Sequence, residues 1–471
     1  MRLSAFPIGA GFRQGRAWIA GAATAAALTL AAPAQAADAS PVLFACPGLA
    51  AGEDGPGPYD AEALVQGRNG WFFRASGGLG WDFHVGAEAA RNVRRLTAAL
   101  AARGARLGFV QPPPRGLVYH DQAIRSPGKP PILTPDEGAE LYRDQIAALR
   151  RAGAVVPDLL AAADKRDGLL YFRRDIHWTP EFARTAAQAF GREYRKVAGD
   201  EGLDAVTFKT TATVMADLKG ALAQAISRYC ADTIPPETYQ RYETRRDASG
   251  AADLGLFDAP DDGFSVALLG SSFSYLSEWF NFDGFLSEAL GASVANHAIA
   301  GGALAKSAIS YFSSAGFQED PPNLVVWEAP AYYDLNKAGL AFRQIIPAVH
   351  GACAEEAAVA ANAGQISNAP ASLAIPADAG ASGPGNYLFL EAQNRAFVKF
   401  AFRIDYADGA REEVPIDRSD RYLNEGRFFL ELSPDIDAPA TTITILPADA
   451  TPTSYAARIC AAPKEARQND G

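Results

Sequence analysis

Phe264-Ser265-Val266-Ala267-Leu268-Leu269-Gly270-Ser271-Ser272-Phe273-Ser274 holds the key to the fold: a short apolar run, a glycine-serine turn, and then the amphipathic stretch Trp279 to Leu290. Such a run reads as a buried strand delivered by a tight turn into a helix, the repeating unit of an α/β domain with a parallel sheet. A serine at that turn presents its hydroxyl at the carboxyl edge of the sheet. The glycine permits the sharp turn, and the backbone N–H groups beyond it are free to hold an oxyanion. An ordinary Gly-Ser turn with helix-capping serines has the same sequence, so the pentapeptide alone does not settle the chemistry.

Working outward, the pattern from about 64 to 330 keeps alternating short apolar runs with Ala/Leu-rich amphipathic stretches. The expected order is helix Ala87 to Arg103, strand Arg106 to Gln111, helix Tyr142 to Arg151, strand Ala154 to Asp158, the strand Phe264 to Leu269, strand Val294 to Asn296 and strand Leu324 to Trp327. Functional loops of such sheets lie beyond the carboxyl ends of the strands. Residues 351–385 are rich in Ala, Gly, Pro and Ser and read as a linker, with a short Ala helix near 354–362. Beyond it strands follow without helices: Tyr387 to Glu391, Phe397 to Tyr406, Phe428 to Leu432 and Thr441 to Leu446, with turns at Asp408-Gly409 and Asn424-Glu425-Gly426. The fold class is therefore α/β, a parallel-sheet domain at 37–350, followed by a small antiparallel β-sandwich at 386–471.

The first 36 residues carry Arg2, Arg13 and Arg16, no acid, the apolar run Ala17 to Ala32, and Ala34 and Ala36 in the arrangement of a cleavage site. This is the pattern of a secretory signal peptide, and it implies a periplasmic protein. The whole chain has 43 Lys and Arg against 54 Asp and Glu, a net charge of -11. Losing the leader leaves 40 basic residues against the same 54 acids, which argues against nucleic-acid binding and requires any polyanionic ligand to find a local basic patch. Among four cysteines none forms a C-x-x-C pair, so neither a zinc knuckle nor another metal site is expected. In an oxidising compartment Cys46, Cys230, Cys353 and Cys460 are expected as disulfides. Three pairings are possible, and the composition shift near residue 350 favours Cys46 with Cys230 and Cys353 with Cys460.

A second motif meets the first. Asp175-Ile176-His177-Trp178-Thr179-Pro180 follows the apolar Leu169 to Phe172. In an extended or turn conformation an Asp two positions before a His points to the same side, where its carboxylate can orient the imidazole and stabilise its charge. A structural His beside a helix start at Thr179-Pro180 would also fit. With Ser272, however, a nucleophile candidate and an oriented base candidate stand at the ends of buried strands, as acyl transfer through a covalent acyl-serine requires. His84 and His120 fall in loops, His297 follows a short strand, where it could be a site residue or simply pack beside the sheet, and His350 lies at the linker; all four read as structural.

The order Gly67-Arg68-Asn69-Gly70-Trp71-Phe72-Phe73, Asp175-x-His177-Trp178 and Gly270-x-Ser272 resembles the AlgX/AlgJ family of SGNH hydrolase-like acetyltransferases of bacterial exopolysaccharide secretion. In most SGNH esterases the Asp and His follow the serine; here they precede it, as in this family. The resemblance implies Ser272 as nucleophile, His177 as general base, Asp175 as its orienter and the Ser272 N–H as one oxyanion donor, with the segment Asn296 to Gly302 the nearest place for others. It also implies a C-terminal carbohydrate-binding module. Trp327-Glu328-Ala329-Pro330 resembles a family segment at a strand's end, but Ala331-Tyr332 replaces the Glu-Arg that often follows its proline, which leaves Tyr332 as a candidate for the pocket rim.

In that module, alternation along residues 395–404 would bury Ala396, Val398, Phe400, Phe402 and Ile404 and leave Arg395, Phe397, Lys399 and Arg403 on the outer face. Such a row suits a uronate polymer, with cations for carboxylates and a ring for sugar, although a solvated strand face has similar composition. Arg411, Arg418, Arg421 and Arg427 could extend it. The expectation is a monomeric O-acetyltransferase of an acidic exopolysaccharide such as alginate, needing no cofactor and receiving acetyl through a membrane O-acyltransferase and other periplasmic secretion proteins. The alternatives are a carbohydrate acetyl esterase with the same triad and a non-catalytic scaffold of the secretion machinery.

Overall fold

Strand, turn and helix follow one another around residue 270 as the local sequence requires, and the rest of the sheet forms around them. The structure is a computed structural model that describes residues 43–50 and 64–463, apart from 76, 82, 124–132, 165–167, 199–202, 204–205, 248–264, 377–378, 382, 384 and 450. The expected leader at 1–36 lies outside the described residues. A small hairpin, β1 (Leu64–Gln66) and β2 (Phe72–Arg74), precedes β3 (Arg106–Val110); a second hairpin, β4 (Phe208–Leu218) and β5 (Glu237–Arg246), precedes β6 (Val266–Leu269), β7 (Val294–Asn296) and β8 (Leu324–Glu328). Among the described residues, β3, β8, β6 and β7 form one parallel sheet in that order.

Strand alternation explains how this sheet is covered on both faces. Val266, Leu268, Leu324 and Val326 pack with Phe182, Ala186 and Phe190 of the helix Pro180–Ala198 and with Phe282, Phe285 and Leu286 of the helix Phe282–Leu290. Ala267, Leu269, Val325 and Trp327 face the opposite way, into a core built with Val93 and Leu96 of the helix Ala87–Ala102 and Phe342, Ile345 and Ile346 of the helix Gly339–His350.

Two elements of this domain differ from expectation. The helix ending at Arg151 begins at Pro135, not Tyr142, because Thr134 and Glu137 form a reciprocal capping box two turns upstream. Ala154 to Asp158 does not extend as a strand: Val155 makes one parallel bridge with Gly108, Pro157 supplies no N–H, and the Asp158 carboxylate caps the next helix at Ala161.

The segment 351–385 is not a linker. It contains β9 (Ala360–Ile366) and β10 (Ala371–Ala374), both on sheet edges. Five consecutive residues of β9 are exposed, so small and polar residues suffice there and the apolar signal of a strand is missing. The remaining strands are β11 (Asn386–Ala392), β12 (Lys399–Tyr406), β13 (Arg411–Asp417), β14 (Arg427–Glu431), β15 (Ala440–Pro447) and β16 (Thr453–Ala461). They form two antiparallel sheets, β10-β15-β12-β13 and β14-β11-β16-β9, whose inner faces share a core containing Phe400, Phe402, Ile404, Leu388, Leu390 and Phe428. The outer face of the second sheet does not meet solvent throughout. Tyr387, Phe389, Phe429 and Cys460 join the core of the α/β domain, Tyr387 donates to the Gly351 carbonyl at 2.7 Å, and Arg343 holds Glu412 in a bidentate pair.

Cys46 is bonded to Cys230 and Cys353 to Cys460. The second bond closes a loop of 107 residues and ties the exit of the α/β domain to the last strand of the sandwich. Loop-closure entropy assigns it about 4–5 kcal/mol. Replacing Cys353 and Cys460 together by Ala should lower the unfolding free energy by that order in a denaturant titration; a change below about 1 kcal/mol would show that the packing at Tyr387, Phe389 and Phe429 holds the junction without it.

Candidate active site

The turn Asp175-Ile176-His177 and the turn Gly270-Ser271-Ser272 meet at the carboxyl edge of the sheet. His177 Nε2 lies 2.8 Å from Ser272 Oγ, and His177 Nδ1 lies 2.5 Å from Asp175 Oδ1. Asp175 and His177 are both buried, whereas Ser272 is partly open to solvent. Burial alone would raise the Asp175 carboxyl, but the His177 charge and hydrogen bonds from His177 and the Ala221 N–H outweigh it and hold the group down at about 2. Oδ1 takes the His177 backbone N–H at 2.9 Å and Oδ2 takes Ala221 N–H at 2.5 Å. That approach requires Gly220, where a Cβ would sit 2.3 Å from the Arg174 carbonyl oxygen and 2.7 Å from Asp175 Cβ.

Trp178 gives the second motif its structural meaning. Fully buried, it donates its indole N–H to the Phe273 carbonyl at 3.1 Å, which ties the histidine turn to the serine turn. Phe273 and Phe280 line the His177 ring at centroid separations of 4.9 and 5.3 Å. Thr179 then closes the segment, its hydroxyl accepting the Phe182 N–H as Pro180 opens the helix.

The Gly67–Phe73 motif acts from behind. Buried Arg115 donates to the carbonyls of Phe72, Phe172 and Arg173 while lying against the rings of Trp71 and Phe73. Burial brings its guanidinium down to about 10, partly offset by Asp175 and Glu237. Glu237 in turn accepts the N–H groups of Arg173 and Arg174 at 3.0 and 2.8 Å. Neither Arg115 nor Glu237 was singled out from the sequence, because each is remote from both motifs and carries no local pattern.

At the serine, the short helix Ser272–Tyr275 follows Leu269 and Gly270, with Ser271 as its N-cap. Ser271 Oγ accepts the Phe273 N–H, and the Ser271 carbonyl takes the Ser274 and Tyr275 N–H groups. Ser272 N–H has no partner among the described residues, as expected for the first N–H of a helix, and is available to an acyl oxygen. Asn296 does not supply another such donor: its amide donates to the Ser274 carbonyl at 2.8 Å and its oxygen accepts the Ala298 N–H, so it fixes the loop. The N–H groups of His297 and Ile299 are likewise spent on Leu268 and Gly270.

A narrow cleft adjoins the two turns, lined by Arg74, Arg115, Tyr171, Ile176, Phe273 and Tyr332 among others. Tyr332 thus stands at the cleft, its ring against Gly77.

The match to the SGNH hydrolase-like domain, acetyltransferase AlgX, spans residues 64–331. The chain belongs to the AlgX family. It is 29% identical over 376 residues to the alginate biosynthesis protein AlgX of Pseudomonas aeruginosa, covering 79% of this chain and 78% of that protein. It is 33% identical over 247 residues to the probable alginate O-acetylase AlgJ of Pseudomonas putida, covering 51% and 62%. The solved structure of P. aeruginosa AlgX superposes with a TM-score of 0.75 at 26% identity, over 89% of this chain and 100% of that one. The fold is thus an SGNH-like domain followed by a β-sandwich.

The expected basic row on the sandwich is corrected in two ways. β12 begins at Lys399, so the alternation holds for Phe400, Phe402 and Ile404 but not before them: Phe397 is buried and stacked on Phe400 at 4.6 Å, while Ala396 is exposed and Val398 half-buried. The cations are also paired. Lys399 lies 3.6 Å from Asp417, Arg403 3.9 Å from Asp405 and opposite Glu413, and exposed Arg395 stands outside the strand. Arg411 pairs with Asp405 and Arg427 with Glu391, Arg418 is buried over the Phe428 ring, and Arg421 reaches back to the Ala300 carbonyl.

Asp175→Asn should keep the fold yet lower acyl turnover about 10³- to 10⁴-fold, because an amide N–H facing Nδ1 forces the proton onto Nε2. It should also lower stability at neutral pH. The folded Asp175 carboxyl lies below its ordinary 3.8, so its contribution is present above that value and lost as pH falls towards about 2. Denaturant midpoints of variant and wild type should therefore converge on acidification; a constant gap would refute this account.

Proposed function

We propose that the chain is a periplasmic O-acetyltransferase of an acidic exopolysaccharide, alginate or a similar polyuronate, working through an acetyl-serine at Ser272. The observation that carries this reading is the unbroken line Asp175–His177–Ser272 beside a Ser272 N–H with no partner among the described residues. Membership of the AlgX family and the alginate-related names of its relatives support the substrate class.

In the first half-reaction His177 Nε2 takes the Ser272 proton as Oγ bonds to the acetyl carbonyl carbon, and the Ser272 N–H meets the developing oxyanion. Collapse breaks the bond to the donor, which leaves with the proton held by His177. In the second half a sugar hydroxyl loses its proton to His177 and attacks the acetyl-serine. The new ester leaves and Ser272 regains the proton. Asp175 stays ionised throughout, its low pKa matching the imidazolium formed in each half. Acetyl arrives from a membrane O-acyltransferase through the secretion machinery. The sandwich serves as a carbohydrate-binding module, where sugar carboxylates compete with Asp417 and Asp405 for Lys399 and Arg403.

The test is acetyl transfer from a chromogenic acetyl ester to oligomannuronate, read by mass spectrometry of the sugar. Ser272→Ala should lower transfer by at least about 10³-fold with a folded protein. Undiminished transfer by that variant would remove the mechanism, and acetate release without sugar acetylation by the wild type would make the chain an esterase.

A further inference from the structure

Beneath the serine turn lies a second carboxylate that the steps above do not use. Glu328 ends β8, next to β6 in the sheet, and is 1% exposed. Its Oε2 accepts the Ser271 N–H at 2.8 Å, the Ser271 hydroxyl at 2.9 Å and the Ser274 hydroxyl at 3.1 Å, and Oε1 lies 3.2 Å from Ser271 Oγ. The fit is close enough to dictate the residue above it: a Cβ on Gly270 would come within 2.7 Å of Oε2 and 2.9 Å of Ser274 Oγ. Glycine at 270 is thus fitted to the carboxylate and hydroxyl below it, which a Cβ there would displace.

We propose that Glu328 is a positioning residue for acyl transfer, clamping Ser271 and Ser274 so that the intervening Ser272 directs Oγ at His177 and leaves its N–H for the acyl oxygen. This rests on the acyl-serine reading at Ser272. The clamp grips both sides of the nucleophile and leaves Ser272 itself untouched, so it constrains direction without consuming reactive groups. Trp178 holds the same turn through the Phe273 carbonyl, and Asn296 through the Ser274 carbonyl. Glu328 is the partner that takes the Ser271 N–H and the Ser271 and Ser274 hydroxyls. Burial drives the Glu328 carboxyl up to about 7 against those hydrogen bonds and the His177 charge, so a neutral side chain is compatible with the site. Glutamine supplies the same set: its oxygen in place of Oε2 accepts the Ser271 N–H and the Ser274 hydroxyl, and its amide in place of Oε1 donates to Ser271 Oγ. Aspartate retains the charge but withdraws it from the turn by one methylene.

The experiment uses the full oxidised chain and p-nitrophenyl acetate, measuring the rate of acyl-enzyme formation and the steady-state kcat and KM. Glu328→Gln should acylate within about threefold of wild type, whereas Glu328→Ala and Glu328→Asp should lose about 30- to 100-fold in kcat with KM within about twofold, as expected for an interaction that aligns the reacting atoms. Glu328→Asp carries the test if Glu328→Ala does not fold. A folded Ala or Asp variant acylating at the wild-type rate would overturn the proposal, as would a Gln variant as slow as the Ala variant. Ser272→Ala, run alongside, separates the two readings: undiminished acylation there refutes the nucleophile assignment, whereas its loss combined with wild-type rates in the Glu328 variants refutes the clamp alone.

Discussion

Taking the Asp175 carboxylate out of water is the constraint on which the arrangement depends. A buried charge is tolerated only when paired and fully hydrogen-bonded. Here that need draws in the His177 ring and backbone N–H from one side and the Ala221 N–H from the other. Gly220 is required for that approach, the short helix beginning at Ala221 packs Leu222, Ala223 and Ile226 against Phe44 and Phe72, and Cys230, three residues beyond Ser227, is bonded to Cys46. Compensation of one carboxylate thus organises a chain of contacts from the sequence start of the described structure to the His177 ring.

The two buried carboxylates of the site are driven apart by their surroundings. Asp175 faces an imidazole and backbone donors and lies at about 2; Glu328 faces hydroxyls and one backbone N–H, with burial dominant, and lies at about 7. In the proposed mechanism the first is suited to stabilise a charge on His177, and the second to hold the geometry of the serine turn. They reach Ser272 by different routes, Asp175 through His177 to Oγ and Glu328 through Ser271 and Ser274 to the backbone. Both paths end at Ser272, and in the proposed mechanism only the first carries protons.

Much of this was legible in the sequence because the central strand and the two turns are local features. Val266–Leu269 is continuous and apolar, Val294–Asn296 appears where its pattern placed it, and Asp175, His177 and Ser272 come together at hydrogen-bond distance. What escaped is tertiary. Glu328, Glu237 and Arg115 gain their meaning only from carbonyls and N–H groups brought in by other elements. β9, β10, β13 and β16 lack a continuous apolar run, since an edge strand or a half-solvated one alternates or stays polar. Phe397 lies on the inner face, not the outer, because the alternation expected along residues 395–404 starts four residues upstream of β12, where the Asn394 turn carries the chain and resets the phase. The linker reading failed for a related reason: composition measures the need for a core, and edge strands such as β9 ask little of their outer residues.

The central claim is that Ser272 carries the acyl group, and the most direct measurement is to find that group. The full chain would be incubated with a chromogenic acetyl ester in the absence of sugar, quenched in acid and digested, and its peptides mapped by mass. The account predicts a single acetyl ester on Ser272 that disappears when oligomannuronate is added before quenching, with the acetyl recovered on the sugar. An acetyl group on a different residue, or a Ser272 ester that the sugar does not discharge, would contradict it.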